Sequence, residues 1–337
     1  MSGAGTMPPL GGFFGLELPE TGGGLLAHWG AARGLAFANA TSALAALVRA
    51  QAPGRVWFPG YVCAEFAEAA PEAARRFYAV GEDLGPEVAT LQPGPGDLVV
   101  GVNYFGRASA GWRGLVAAHP QVIFVEDCAQ ALDTGQGAWG QWRLYSPRKL
   151  AGIPDGGLLV PVGDAALPPA PVAPPVAAVQ AALAAKLARM EHPMDNALWH
   201  PMNQTQEAAH AVSGQAMSEL SRRLLGLVDV AAVSERRHAN YRVLARALGR
   251  WAVLGEDDPG FVPFGFPVRL EQGRRDAVAQ ALYAQGIFPA VHWRDLPGVP
   301  SARDRARADT WLTLPCDQRW SEEDMARMAR AFVGAAR

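Results

Sequence analysis

The 337-residue sequence predicts an α/β protein, with a larger part organised on a mostly parallel sheet followed by a smaller α+β unit. Short apolar, β-rich runs alternate with Ala-rich helical stretches in the first half, the pattern of strands joined by crossover helices. Single hydrophobic cores usually stop growing at about 250–300 residues, so a chain of this length has room for two units. After a long helical pattern, strand and helix signals resume on a smaller scale. The division is expected near residue 225, with an N-terminal segment and large domain over 1–225 and a small domain over 226–337.

Six runs read as strands: Gly34-Leu-Ala-Phe37, Arg55-Val-Trp-Phe58, Arg76-Phe-Tyr-Ala-Val80, Asp97-Leu-Val-Val-Gly-Val102, Gln121-Val-Ile-Phe-Val125 and Gly157-Leu-Leu-Val160. Their apolar residues are consecutive rather than alternating, as strands buried on both faces require. The stretch Ala166-Leu-Pro-Pro-Ala-Pro-Val-Ala-Pro-Pro175 cannot continue a helix or a central strand, because proline lacks the N–H and fixes φ, so a loop or crossing is predicted. From Met217 apolar residues return at helical spacing, at Leu220, Leu224, Leu227, Val228 and Ala231, and the pattern runs through Tyr241 and Leu244 to about Leu248. One long helix joining the two domains is expected there. Beyond it, Phe266-Pro-Val-Arg-Leu270, a helix near Arg275 to Gln285, Gly286-Ile-Phe288 and a last helix from about Ser321 to Val333 make up the smaller unit.

A formal net charge of -2 gives no electrostatic footprint for nucleic acid or an anionic membrane. Cys63, Cys128 and Cys316 are odd in number, far apart and form no CxxC pair, which fits free thiols in a reducing compartment. Met1 to Gly15 is Gly-rich without a cationic start, and no apolar stretch approaches the length of a bilayer span, so a cytoplasmic, soluble protein is expected. The seven histidines form no HExxH arrangement, and His192 and His200 have no matching ligands, so no metal site is expected. Neither a dinucleotide fingerprint, a phosphate-loop Gly-Lys-Ser/Thr nor a GxSxG elbow is present.

Lys149 is one of only two lysines among thirty cationic residues. Arginine cannot lose its proton in a protein, whereas a lysine can do so, attack an aldehyde and hold it as an imine. Lys149 is therefore the candidate nucleophile. In Val122-Ile-Phe-Val-Glu-Asp-Cys-Ala-Gln130 a buried strand runs into two carboxylates, and neighbouring strand side chains point to opposite faces. Only one of the two can face a site at the carboxyl end of the sheet, where open α/β folds place ligands. An aspartate there suits a protonated ring nitrogen; a helix cap or structural ion pair is the alternative. Asn39-Ala-Thr-Ser-Ala-Leu44 opens a helix after a strand, with free N–H groups and hydroxyls suited to a phosphate, though the same residues also read as ordinary N-caps. Ser146, three residues before Lys149, offers another hydroxyl, and Asp155-Gly-Gly157 permits a tight turn into the next strand.

These pieces, in this order, resemble the DegT/StrS family of sugar aminotransferases, fold type I enzymes that use pyridoxal 5'-phosphate (PLP). Asn39-Ala-Thr-Ser-Ala-Leu44 is similar to the family's phosphate turn, Phe58-Pro-Gly-Tyr-Val-Cys63 to a strand end, and Asn103-Tyr-Phe-Gly106 to a loop ending in glycine. Most specific is Glu126-Asp-Cys-Ala-Gln-Ala131, followed by Lys149 and then Gly156-Gly157. Arg275-Asp276, Gly286-Ile287, His292, Leu312-Thr-Leu-Pro315 and Ser321-Glu-Glu-Asp324 resemble the family's small domain, so the similarity spans about residues 10 to 333.

The resemblance implies that Lys149 carries the covalent link to PLP and shuttles a proton, that Asp127 holds the pyridinium nitrogen, and that Gln130 approaches the phenolic oxygen. It implies phosphate binding by Ala40, Thr41, Ser42 and Ser146. Tyr61 is the candidate for stacking on the ring, although the family position corresponds to Cys63, and Tyr104 and His292 are candidates for substrate contact, with Arg294 nearby. It further implies a homodimer, a nucleotide-linked keto sugar as substrate and glutamate as amino donor. Two features depart from the family: Ser146 lies closer to Lys149 than usual, and the family's Asn-Tyr-Arg is not evident before Met217-Ser-Glu-Leu220. A transaminase for a non-nucleotide ketone, such as an amino-cyclitol precursor, and a non-catalytic PLP-binding homologue are the competing readings.

Overall fold

The computed structural model describes residues 16, 18–19, 23–208, 211–255 and 259–337; the Gly-rich stretch from Met1 to Gly15 lies outside them. In the first half α1 (Gly24–His28), β1 (Leu35–Phe37), α2 (Ala40–Gln51), β2 (Val56–Pro59), α3 (Ala64–Ala67), β3 (Arg75–Tyr78), β4 (Leu98–Val102), α4 (Gly111–Ala118), β5 (Ile123–Asp127), β6 (Trp142–Tyr145) and β7 (Gly157–Pro161) follow one another. The strands form one seven-stranded sheet in the order β1-β7-β6-β5-β4-β2-β3. Neighbours from β3 to β6 pair in parallel, while β7 runs antiparallel to both β6 and β1. This is the mostly parallel α/β sheet that the alternation of elements predicts. β6 is an addition to the expected strands; the run Trp-Arg-Leu-Tyr is short and mixed, and it finds its place only by pairing with β5 and β7.

Both faces of the sheet are covered. On one, α2 packs Ala43, Leu44 and Leu47 against Val100, Val125, Trp142 and Leu159. On the other, Trp112 of α4 stacks on Trp139 at 4.6 Å, over Val99 and Phe124. Gly101 lets that ring close in, since a Cβ there would stand 2.2 Å from the Trp112 indole. Every residue of β4 is buried, which is what its consecutive apolar residues require.

After the Pro-rich crossing, α5 (Val176–Glu191) and α6 (Asn196–Ala208) form a helical hairpin. The expected long helix is instead two, α7 (Glu219–Gly226) and α8 (Val230–Leu248). The apolar spacing continues across the break, but Gly226 ends α7 and the Asp229 side chain accepts the Ala232 N–H at 3.0 Å, starting a new helix. Next come β8 (Phe266–Arg269), α9 (Arg275–Tyr283), α10 (Ala302–Thr310), β9 (Trp311–Leu314) and α11 (Glu322–Ala336). β8 and β9 pair antiparallel and share a separate core with α8, α9 and α11, built on Tyr241, Leu244, Val268, Leu282, Leu312 and Phe332. Gly286 ends the turn after α9, and Ile287 and Phe288 follow it outside any strand.

The two halves are clamped through α10. Arg307 donates to the Val80 carbonyl at 2.8 Å and to the Gly81 carbonyl, while pairing with buried Asp304 at 3.1 Å. No helix among the described residues is long and apolar enough to cross a membrane, and no group of three metal-ligating side chains gathers among them.

Candidate active site

β5 delivers its two carboxylates to opposite faces of the sheet. Glu126, fully buried, accepts from Asn103 Nδ2 at 2.9 Å, Trp139 N at 3.1 Å and Arg143 Nε at 3.0 Å, so it is a structural ion pair that anchors the loop before β6. Asp127 turns the other way. Among the described residues its Oδ1 accepts only the Ala129 N–H, at 2.8 Å, and burial pushes its carboxyl up to about 6 against the opposing pull of the Lys149 ammonium. A buried carboxylate with a single backbone donor has acceptor capacity left for a cationic partner.

Lys149 ends a short 3-10 turn, Pro147–Lys149, whose first carbonyl bond is Lys149 N to Ser146 O at 3.0 Å. The residue is exposed, and no hydrogen bond or ion pair holds its ammonium among the described residues. Its charge nevertheless acts on three buried or half-buried groups from separate elements, Asp127, Cys63 and His292. The end of β5, the entry to α3 and the loop before α10 thus all lie within reach of one amine's charge. Ser146, three residues earlier, is buried to 3%.

The turn into α2 sits alongside. Asn39 caps the helix, its Oδ1 accepting Ser42 N at 2.7 Å, and its Nδ2 donates to Ala211 O at 3.2 Å. Ser42 Oγ accepts Ser213 N at 2.9 Å and keeps its own proton to donate; Ala40 is buried and Thr41 half-buried. Gly156 N bonds the Ala38 carbonyl at 2.7 Å, and a Cβ on Gly157 would lie 2.1 Å from the Asn39 carbonyl carbon. The strand leaving Lys149 is thereby held against the helix N-terminus. Where the family's Asn-Tyr-Arg was missing, residues 211–217 fold back on this chain's own turn: Ala38 N bonds Gln215 O at 2.9 Å and Met217 N bonds Ala36 O at 3.1 Å.

Gln130 is buried to 2%; its Oε1 accepts Phe105 N at 2.9 Å, but its buried Nε2 has no partner among the described residues. Orphaned buried donors are rare, and this one lies three residues from Asp127.

Two expected contacts are corrected by burial. Tyr61 is fully enclosed, edged by Trp293 at 5.3 Å, Tyr104 at 5.5 Å and Trp311 at 5.9 Å, and its hydroxyl donates to the His292 carbonyl. No face of the ring is open for stacking. Half-buried Cys63 is the side chain from this strand end that senses Lys149 and Asp127, with its thiol pushed up by burial. Tyr104 is also in the core, donating to the Tyr61 carbonyl, so it supports Tyr61 rather than reaching substrate. The Lys149 charge also reaches His292. Burial and then the Lys149 charge push its imidazole down to about 3, and Nδ1 lies 2.9 Å from Thr313 Oγ1, so the ring is neutral at physiological pH. Arg294 instead pairs with Asp276 at 2.9 Å on the surface.

No family model matches the chain, and no curated protein matches it in sequence. Solved structures do. A DegT DnrJ EryC1 StrS aminotransferase from Brucella abortus superposes with a TM-score of 0.65 at 19% identity, over 93% of this chain and 88% of the other. S. venezuelae DesV, solved in complex with a ketimine intermediate, gives 0.66 at 19% identity, over 93% and 87%. DesI, solved in the presence of its TDP-sugar product, gives 0.63 at 18% identity, over 93% and 83%. The chain has the fold of the PLP-dependent aminotransferases.

Proposed function

We propose that the chain is a PLP-dependent aminotransferase of the DegT/StrS type that moves an amino group, with glutamate as donor, onto the keto group of a nucleotide-linked sugar. The observations that carry this reading are Lys149, the buried Asp127 on which its charge acts, and the buried Gln130 amide three residues further along the chain, whose Nε2 has no partner among the described residues. PLP fits that set. Its pyridinium would meet Asp127, its phenolic oxygen would take the Gln130 Nε2 donor, and its phosphate suits the α2 N-terminus with Thr41, Ser42 and Ser146.

When bound, PLP supplies a carbonyl for the lysine and an electron sink for carbon–hydrogen bond cleavage. The protein groups do the rest. A cation beside Asp127 would offset its burial and keep it ionised, and the carboxylate would in turn hold the proton on a ring nitrogen. Lys149 Nζ would take and return the proton at the reacting carbon, a task that an arginine cannot perform. Neutral His292 offers a hydrogen bond near the amine without competing with it for charge. The likeness to DesI, solved in the presence of its TDP-sugar product, supports the nucleotide-linked substrate. A cytoplasmic homodimer completes the reading, and the three free thiols suit a reducing compartment.

The test is spectroscopic. PLP added to the purified protein should give the absorption band of lysine-bound cofactor, Lys149→Ala and Lys149→Arg should abolish it, and glutamate should convert it to the amine form. If the band survives either substitution, Lys149 does not hold PLP; if glutamate and other common amino acids leave the wild-type band untouched, transamination is wrong.

A further inference from the structure

Arg237, on α8, is 1% exposed, and no carboxylate pairs with it among the described residues. Arginine keeps its proton inside a protein, so a full charge is held there by neutral acceptors alone. An apolar side chain of similar size would cost less in such a place. What the guanidinium adds is a rigid fork that reaches acceptors in two directions.

One limb of the fork leads to the Lys149 turn. Arg237 Nε donates to Gln318 Oε1 at 2.9 Å, and Gln318 Nε2 donates to the Leu150 carbonyl at 2.8 Å, one residue beyond Lys149. The segment bearing Gln318 is itself fixed to α8, because Asn240 Nδ2 donates to the Asp317 and Trp320 carbonyls at 3.0 and 2.9 Å.

The other limb leads to Gln130. Arg237 Nη1 donates to the Pro263 and Phe264 carbonyls at 3.0 and 3.3 Å. Phe264 N donates to the Phe105 carbonyl at 3.0 Å, and Phe105 N donates to Gln130 Oε1 at 2.9 Å. Phe105, between these two bonds, has a φ of 58°, in the left-handed region that a bulky side chain seldom adopts. Such a conformation persists only where the surroundings hold it, and here a hydrogen bond holds the residue on either side. With Oε1 engaged by Phe105, the orientation of the Gln130 amide is set and its Nε2 is the donor left over.

We propose that Arg237 is a positioning residue that sets the Lys149 turn through Gln318 and the Gln130 amide through Phe264 and Phe105. One side chain on α8 thus ties the amine that would carry the chemistry to the amide that would meet the phenolic oxygen. The catalytic meaning of this link rests on the aminotransferase reading; the two chains of hydrogen bonds do not.

The experiment measures amide hydrogen exchange in the PLP-free protein and then follows the absorption band when PLP is added. In Arg237→Met, exchange should rise at least about tenfold at Leu150, Ala151 and Phe105, as loss of hydrogen bonds from a charged donor implies, while the amides of β4 stay protected. Gln318→Leu should loosen Leu150 and Ala151 and leave Phe105 as it is. With PLP, both variants should form the Lys149-dependent band at least about tenfold more slowly, since displacing a reacting group by about 1 Å costs up to about a hundredfold. Should Arg237→Met not fold, Arg237→Lys, which keeps the charge without the fork, and Gln318→Leu give the same reading. Arg237 has no positioning role if the folded variants protect the Lys149 turn and Phe105 as wild type does, if exchange rises equally in β4, or if the band forms at the wild-type rate. A wild type without a Lys149-dependent band overturns the aminotransferase reading and the role of Arg237 with it. A normal wild-type band with unchanged variants overturns the role of Arg237 alone.

Discussion

Asp127 is the residue on which pH acts most directly. With its carboxyl pushed up to about 6, the folded PLP-free protein keeps a proton that the unfolded chain releases near an ordinary aspartate value of about 3.9. Its contribution to stability is therefore fully present below about pH 4 and lost as pH rises through about 6. Asp127→Asn removes the charge, so the PLP-free variant should gain in melting temperature over wild type on going from pH 4 to pH 8; a difference that does not change with pH would count against the buried-carboxyl account. The same substitution should weaken PLP binding roughly ten- to a hundredfold, since a hydrogen bond to a charged group is worth about 1.5–3 kcal/mol, measurable by equilibrium dialysis. At this scale much was readable beforehand. Strand alternation says that one of Glu126 and Asp127 must face away, and the scarcity of lysine singles out Lys149. Tyr61 and Cys63 were not separable, because β2 ends at Pro59 and the alternation rule does not reach the bend that follows.

Between elements, the close approach of β7 to the start of α2 controls the phosphate turn. Gly157→Ala would put a methyl group 2.1 Å from the Asn39 backbone, so strand and helix must separate. Overpacking of this kind costs about 1–3 kcal/mol, and PLP affinity should fall by about an order of magnitude even though Lys149 and Asp127 are intact. Gly152→Ala, in the same loop, meets nothing within 4 Å and serves as the control. A PLP titration that gives equal affinities for the two variants would show that the turn does not depend on this contact. Element identity was legible wherever apolar residues ran consecutively, as in β4 and β5. It was not legible for β6, whose strand character comes from its neighbours, nor for the break between α7 and α8, where a capping aspartate interrupts an unbroken apolar period.

Across the whole molecule, α10 joins the second core to the edge of the large sheet. Arg307→Ala would strand Asp304, which is fully buried, and free the Val80 and Gly81 carbonyls. Breaking a buried pair from one side costs about 3–5 kcal/mol, so urea unfolding should shift to markedly lower denaturant; an unchanged midpoint would mean the clamp carries no weight. The sequence alone determined the properties that live in short windows or in composition: consecutive apolar strands, a strand ending in two acids, a helix start rich in hydroxyls, and a lysine kept where arginine is the rule. Tertiary structure alone decided which acid pairs with Arg143 and which faces Lys149, that Tyr61 is core, and that Arg237 reaches Leu150 through Gln318 and Gln130 through Phe264 and Phe105. Those outcomes depend on contacts between residues far apart in the chain, and local periodicity carries no information about them.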